Sequence, residues 1–215
     1  IRSWTELKNN GEEDLGVEYV SSFALLGIDK EGLLSTDEKL EVLIARNAWQ
    51  KELIWNRFSM DQLGMSISQP DKVRRSSQII SVGNTGNWST KNYLPMGCLK
   101  NKETDSILFW QIEQNGSWYW EISDQDGHMY LQLSGPTEHQ SHWWKNLKPG
   151  DTFASVPVSV GSACGDVEEA AGELTKYRRA IRRKNEDNEK LPVIFNDYMN
   201  CLWGDPTTEK ELPLI

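Results

Sequence analysis

The chain has 215 residues, enough to bury a substantial core and to form one or two domains. Lys and Arg number 23 against 32 Asp and Glu, for a formal net charge of -9 and a pI near 4.9. That balance excludes nucleic acid as a partner, because phosphate recognition demands a basic footprint, and no apolar run approaches the roughly 20 residues that span a bilayer.

Residues 1 to about 160 read as β structure. Val17 to Leu26 (VEYVSSFALL) and Leu40 to Ala45 (LEVLIA) are strand-like, with Gly or acidic punctuation between them. The strongest local signal is Ser106 to Glu113 (SILFWQIE) and Ser117 to Ile122 (SWYWEI), two aromatic and β-branched runs flanking Asn115-Gly116. That dipeptide suits the positive φ angles of a tight turn, so a hairpin is expected there. A second hairpin is expected where Asp124-Gln-Asp-Gly127 turns into His128 to Leu133. Trp143-Trp144 to Leu147 leads to a turn at Lys148-Pro-Gly150. Thr152 to Val160 follows as an edge-type strand, since Pro157 cannot donate to a ladder. Many short strands with turns between them imply a sandwich, so the fold is expected to be mainly β.

At Gly165-Asp166 the period changes. Val167, Ala170, Ala171, Leu174, Tyr177 and Ile181 recur at helical spacing, with Asp166 a natural N-cap. Glu168, Glu169 and Glu173 lie early and Lys176, Arg178, Arg179, Arg182, Arg183 and Lys184 late, matching the helix dipole. The helix should end near Lys184, with residues 185–190 a polar connector. Leu191 to Phe195 (LPVIF) then reads as a strand buried on both faces. Gly204 to Glu209 reads as a turn into a helix start, with Thr207 or Thr208 as N-cap. Strand, polar loop and helix start form the first unit of a β/α architecture whose eight-fold barrel needs about 250 residues. The chain therefore reads as a fragment of a larger enzyme. Residues 1–164 are expected to form the sandwich, 165–190 a linker helix and connector, and 191–215 the opening of a barrel.

Isolated motifs point mostly to structure. Cys98, Cys164 and Cys201 are too few and too scattered for a disulfide framework, which makes a reducing cytoplasm the expected compartment. His139 and His142 stand three apart, but no Cys or carboxylate cluster completes a tetrahedral set and the segment reads as a surface loop. Asp124-Gln-Asp-Gly127 lacks the downstream Glu of a calcium loop. The Arg residues between 178 and 184 read as a solvated helix face. Asn87-Trp-Ser89 and Asn115-Gly-Ser117 fit the glycosylation pattern, a triplet that recurs by chance. No Gly-rich phosphate loop and no G-x-S-x-G elbow is present. Ten tryptophans stand out, and core packing or stacking on sugar rings would each account for them.

Several of these motifs occur in a telling order. The tract Trp143 to Pro157 is followed by the helix carrying Tyr177-Arg178-Arg179 and then by Pro192-Val-Ile-Phe-Asn196. In that order the chain resembles glycoside hydrolase family 36, the retaining α-galactosidases of bacterial type. Ser89 to Met96 (STKNYLPM) and the tract around Asn115-Gly116 also resemble that family's N-terminal domain, and the likeness covers roughly residues 45–215. It implies a β-supersandwich domain, a linker helix and a (β/α)8 barrel, acting on α-galactoside oligosaccharides without metal or organic cofactor, in an enzyme that can self-associate. The family's Asp nucleophile and Asp acid/base are expected beyond Ile215. Lys184-Asn-Glu-Asp-Asn188 mimics the family's Lys-x-Asp-x-Asn nucleophile setting, but its Asp is one place out of register and it lies in a polar connector.

The family commonly shows Asn-x-Trp-Glu-Ala after its first barrel strand, with the Trp walling the sugar pocket. Here the stretch reads Asn196-Asp-Tyr-Met-Asn200. Asn196 matches, Tyr198 stands for the Trp, and Met199 stands for the Glu. The resemblance thus implies Tyr198, Asn196, Asp197 and Trp203 as substrate-binding residues. The departures at Tyr198 and Met199 leave an α-N-acetylgalactosaminidase or another α-glycosidase as alternatives. A non-catalytic carbohydrate-binding sandwich is the alternative of a different class.

Overall fold

The computed structural model describes residues 1–65, 78–125, 127–194, 209 and 213. The chain divides into two compact units, Ile1–Lys176 and Tyr177–Ile215. The first begins with strands β1 (Arg2–Ser3), β2 (Glu6–Lys8), β3 (Leu15–Val17), β4 (Ser21–Leu26), β5 (Leu40–Ala48), β6 (Lys51–Ser59) and β7 (Ile80–Asn84). Strands β8 (Tyr93–Asn101), β9 (Ser106–Ile112), β10 (Trp118–Gln125), β11 (His128–Ser134), β12 (Lys145–Leu147), β13 (Thr152–Ala154) and β14 (Val158–Cys164) follow. The helices are α1 (Thr36–Lys39), α2 (Glu138–Ser141), α3 (Val167–Ile181) and α4 (Glu186–Lys190).

Two antiparallel sheets face each other. One has the order β1-β14-β9-β8-β5-β6 and the other β4-β11-β10-β7, with short ribbons β12-β3 and β13-β2 beside them. Period-2 alternation explains the packing. Leu40, Val42 and Ile44 of β5, Leu99 of β8, Trp110 and Ile112 of β9, and Val158 and Val160 of β14 face inward from the larger sheet. They meet Ile80 and Val82 of β7, Trp118, Trp120 and Ile122 of β10, and Met129, Leu131 and Leu133 of β11. Trp110 and Trp120 pack edge to face at the centre, with ring centroids 5.1 Å apart. The chain is a mainly β sandwich, as its strand and turn pattern indicates.

The larger sheet is covered on its far side as well. Leu43, Cys98, Ile107 and Phe109 point away from the sandwich core and pack with Ala170 and Leu174 of α3. Burial pushes the Cys98 thiol up to about 12, which leaves it an inert packing group. The Asp166 carboxylate accepts from the Val167 N–H at 2.7 Å, and the Glu169 carboxylate accepts from the Asp166 N–H at 2.8 Å. Asp166 thus begins the helix as its position suggests. Arg57 of β6 donates to both Asp166 oxygens at 2.6 Å and ties the start of α3 to the sheet.

Several expectations need correction. The Asn115-Gly116 hairpin does not form: β9 lies in the larger sheet and β10 in the smaller, so residues 113–117 cross between layers. Neither Asn115 nor Gly116 takes the positive φ that a two-residue turn needs. The cause is burial demand. Strand β9 is apolar at consecutive positions and needs cover on both faces, whereas β10 alternates and needs it on one. By contrast, β10 and β11 do form a hairpin, with Gln125 opposite His128 and Gly127 at φ 80°. The run 17–26 splits into β3 and β4, and Thr152–Val160 splits at Pro157 into β13 and β14. The Lys148-Pro-Gly150 turn stands, closed by the Asp151 N–H donating to the Lys148 carbonyl, with Gly150 at φ 87°.

In the second unit, α3 ends at Ile181 rather than near Lys184, and the connector itself folds. Asn185 caps α4 by accepting from the Asn188 N–H at 2.8 Å, since a polar run can satisfy its first amides with its own side chain. The helix closes on Leu191 at φ 46°. The strand expected over 191–195 is not assigned over its described residues 191–194, where no ladder supplies the hydrogen bonds that a strand needs. Asp187, of the nucleophile-like stretch, lies within α4.

Candidate functional site

The outward face of the smaller sheet carries a grouping of polar and aromatic side chains. Alternation that sends Trp118, Trp120 and Ile122 inward sends Tyr119 and Glu121 outward. On β11 the same rule sends Tyr130 and Gln132 outward while Met129, Leu131 and Leu133 go in. The hairpin register sets Glu121 opposite Gln132 and Ser123 opposite Tyr130, so Tyr130 is the diagonal neighbour of Glu121.

The Glu121 carboxylate is held from two sides. The Tyr119 hydroxyl donates to Oε2 at 2.6 Å and the Tyr130 hydroxyl to Oε1 at 2.8 Å. Burial, the hydrogen bond to Glu121 and the Glu121 charge push the Tyr130 phenol up to about 12. The same causes, burial first, move Tyr119 well above the ordinary phenol range. Tyr19 rises to about 12 through burial and the nearby Glu121 charge, with Ser134 opposing. All three phenols stay protonated at neutral pH, and Tyr119 and Tyr130 act as donors to Glu121.

Two segments wall this floor. Thr137 caps α2, accepting from the Gln140 N–H at 3.0 Å, and the Glu138 N–H donates to the Glu18 carbonyl at 2.8 Å. That bond joins the strand-linking segment at Glu18 and Tyr19 to the one-turn helix. Between floor and walls lies an open cavity of about 340 Å³ lined by Glu18, Tyr19, Tyr119, Glu121, Gln132, Thr137, Glu138, His139 and Gln140. A cleft of about 230 Å³ shares Tyr119 and Gln140 and continues along Ser81, Gly83, Asn84, Thr85, Lys91 and Asn92. Among the described residues no three His, Cys, Asp or Glu converge in a metal-binding group.

The tryptophans divide. Trp110, Trp118 and Trp120 are buried in the sandwich, and Trp143 packs against Phe153 at 5.5 Å. Trp4, Trp49, Trp88 and Trp144 are exposed, yet tyrosines rather than tryptophans line the two furrow cavities. His139 and His142 are exposed, as expected of surface histidines, although their segment is the one-turn helix α2 rather than a loop. Short polar segments with a Thr N-cap are what one helical turn requires. Asn196, Asp197, Tyr198 and Trp203 lie outside the described residues. The Tyr119-Glu121-Tyr130 grouping has a sequence signal: the alternation in WYWEIS and HMYLQL, registered by the turn at Gly127, places those side chains on one face.

No family model matches the sequence, and no curated protein matches it. Solved structures do. The GH36 α-galactosidase AgaB from Geobacillus stearothermophilus matches 90% of this chain at 14% identity with a TM-score of 0.69. The α-galactosidase from Lactobacillus brevis matches 97% of it at 14% identity with a TM-score of 0.69. The galactosidase domain of the α-galactosidase-sucrose kinase AgaSK matches 76% at 18% identity with a TM-score of 0.58. The likeness is one of fold, and the chain spans 24%, 25% and 20% of those three proteins respectively.

Proposed function

We propose that this chain is the sandwich-bearing part of a retaining, α-galactosidase-like glycoside hydrolase that removes terminal α-linked galactose from oligosaccharides. The observation that carries the reading is the breadth of the fold likeness, which extends over 90% and 97% of this chain in two α-galactosidases. In such a reaction a carboxylate attacks the anomeric carbon while a second carboxyl protonates the departing glycosidic oxygen. Water then opens the covalent glycosyl-enzyme, with the second group now acting as base, and two inversions give net retention.

This proposal places both carboxylates beyond Ile215, so the 215-residue chain has no turnover of its own. Tyr198, Asn196, Asp197 and Trp203 are then its substrate-binding residues, with Asp197 and Trp203 the lesser contributors. The enzyme needs no metal or organic cofactor, works in a bacterial cytoplasm, and self-associates.

The test is hydrolysis of a panel of aryl α- and β-glycosides by the full gene product. Selective α-galactoside turnover supports the reading. Absence of turnover on every sugar overturns it, as would aryl α-galactoside hydrolysis by the purified 215-residue chain. In an active enzyme, Tyr198→Ala is expected to raise KM about tenfold or more, the equivalent of losing roughly 1.4 kcal/mol of binding, while Tyr198→Phe stays closer to the parent.

A further inference from the structure

We propose that the furrow on the outer face of the smaller sheet, floored by Tyr119, Glu121 and Gln132 and walled by Tyr19 and Glu138, is a non-catalytic binding site for a neutral glycan. This inference stands apart from the galactosidase reading, since it concerns a surface built wholly by the first unit.

The chemistry of the lining selects the ligand class. Among the described residues no Lys or Arg lines the main cavity, and Glu18, Glu121 and Glu138 give it negative character, so phosphates, sulfates and uronates are disfavoured. A metal ion lacks its donor set, because no three ligating groups converge among the described residues. What remains is a polyol with many O–H donors and apolar C–H faces.

Glu121 is suited to such a ligand. One phenol holds each carboxylate oxygen, at 2.6 and 2.8 Å, and fixes the plane of the group. A carboxylate has about four lone-pair sites, so about two stay open after the phenols are served, one on each oxygen. Two fixed acceptors side by side match a pair of neighbouring sugar hydroxyls. Gln132, opposite Glu121 in the ladder, adds an amide that donates and accepts. Tyr19 and Tyr119 supply aromatic surface for the C–H patch of a pyranose. The volume of about 340 Å³ lies at the lower end of small-molecule sites. Both floor strands are internal to their sheet, which holds the acceptors more firmly than a loop would.

The test uses the 215-residue chain labelled with 15N and titrated with stachyose, cellopentaose and choline chloride, each to about 10 mM, well above a millimolar Kd. Saturable shifts of the amides at 119–123 and 130–134 with at least one of the two glycans are expected, and none with choline. Glu121→Gln is expected to weaken that binding about tenfold with an unchanged melting temperature, and Gln132→Ala to weaken it several-fold. Shifts with choline alone would reassign the furrow to organic cations and overturn the proposal. Absence of shifts with either glycan overturns it, as does glycan binding that Glu121→Gln and Gln132→Ala leave unchanged. Aryl α-galactoside turnover by the full gene product is a separate readout that none of these outcomes touches.

Discussion

Gly97 and Gly161 stand opposite the two largest rings of β9. The ladder sets Gly97 against Trp110 and Gly161 against Phe109, on the two strands that flank β9. A Cβ on Gly97 would come within 2.5 Å of the Trp110 ring, and one on Gly161 within 2.5 Å of the Phe109 ring. Each glycine leaves the space that a neighbouring ring occupies. Overpacking a core site costs about 1–3 kcal/mol, so Gly97→Ala should lower the unfolding free energy by about that amount, read as a lower urea midpoint at an unchanged m-value. A wild-type midpoint would mean that the Trp110 ring moves aside freely. Asp166 makes a different kind of statement. Burial raises its pKa, but the hydrogen bond from Arg57, the Val167 N–H and the Arg57 charge outweigh that and hold it below the ordinary carboxylate value. A depressed folded-state pKa contributes stability that is present above the unfolded value near 3.9 and is lost as pH falls through the folded one. Both partners are more than a third exposed, so the pair is worth no more than about 1 kcal/mol. The stability gap between the parent and Asp166→Asn should therefore be small at pH 7 and should close as the pH falls below the ordinary carboxylate range, as followed by denaturant unfolding. A gap that widened in acid would contradict the assignment.

At the scale of elements, the two Gly-containing links on either side of β10 separate two kinds of connection. Gly127 sits at φ 80° in a true hairpin, where an L side chain costs roughly 1–2 kcal/mol. Gly116 has no positive φ, and a Cβ there would meet nothing nearer than the Gly86 carbonyl oxygen at 3.6 Å. Gly127→Ala should lower the melting temperature by several degrees, whereas Gly116→Ala should leave it within a degree or two or raise it slightly. Equal losses at both would restore the hairpin at Asn115-Gly116. The difference was readable in principle. Two strands of one hairpin share their faces and hence their pattern, yet SILFWQI is apolar at consecutive positions while WYWEISD alternates. Turn chemistry alone could not reveal this, because Asn-Gly is equally at home in a crossing loop. The sandwich class, the hairpin at Gly127, the Lys148 to Gly150 turn and the start of α3 were legible because each depends on neighbours close in sequence. The sheet order was not, because it depends on which distant strand can cover the second face of β9. The Glu121 grouping fell between the two: each strand's alternation was visible, but its importance appears only once β10 and β11 are registered side by side.

On the scale of the whole molecule, the two units differ in how well they hide apolar surface. The first encloses Trp110, Trp118, Trp120 and a set of aliphatic side chains between two sheets, and packs Leu43, Ile107 and Phe109 under α3. In the second, the described residues after α4 leave Leu191, Val193 and Ile194 at 78%, 99% and 85% exposure. Consecutive exposed apolar residues associate when a partner surface is offered, and an unpaired backbone beside them invites strand pairing. We therefore expect the 215-residue chain to self-associate in a concentration-dependent way in sedimentation velocity. A shorter chain ending at Ile181 should stay monomeric, because the sandwich and its α3 cover would be intact. Its melting temperature should fall by less than about 4 °C, the shift expected for 1 kcal/mol in a domain of this size. The two readouts separate the causes. Monomeric behaviour of both chains at high concentration would show that the apolar run is not adhesive, and association of both would place the contact on the sandwich itself. A large drop in melting temperature on shortening would mean that residues beyond Ile181 brace the first unit, which would then not be the independent folding body that its enclosed core implies.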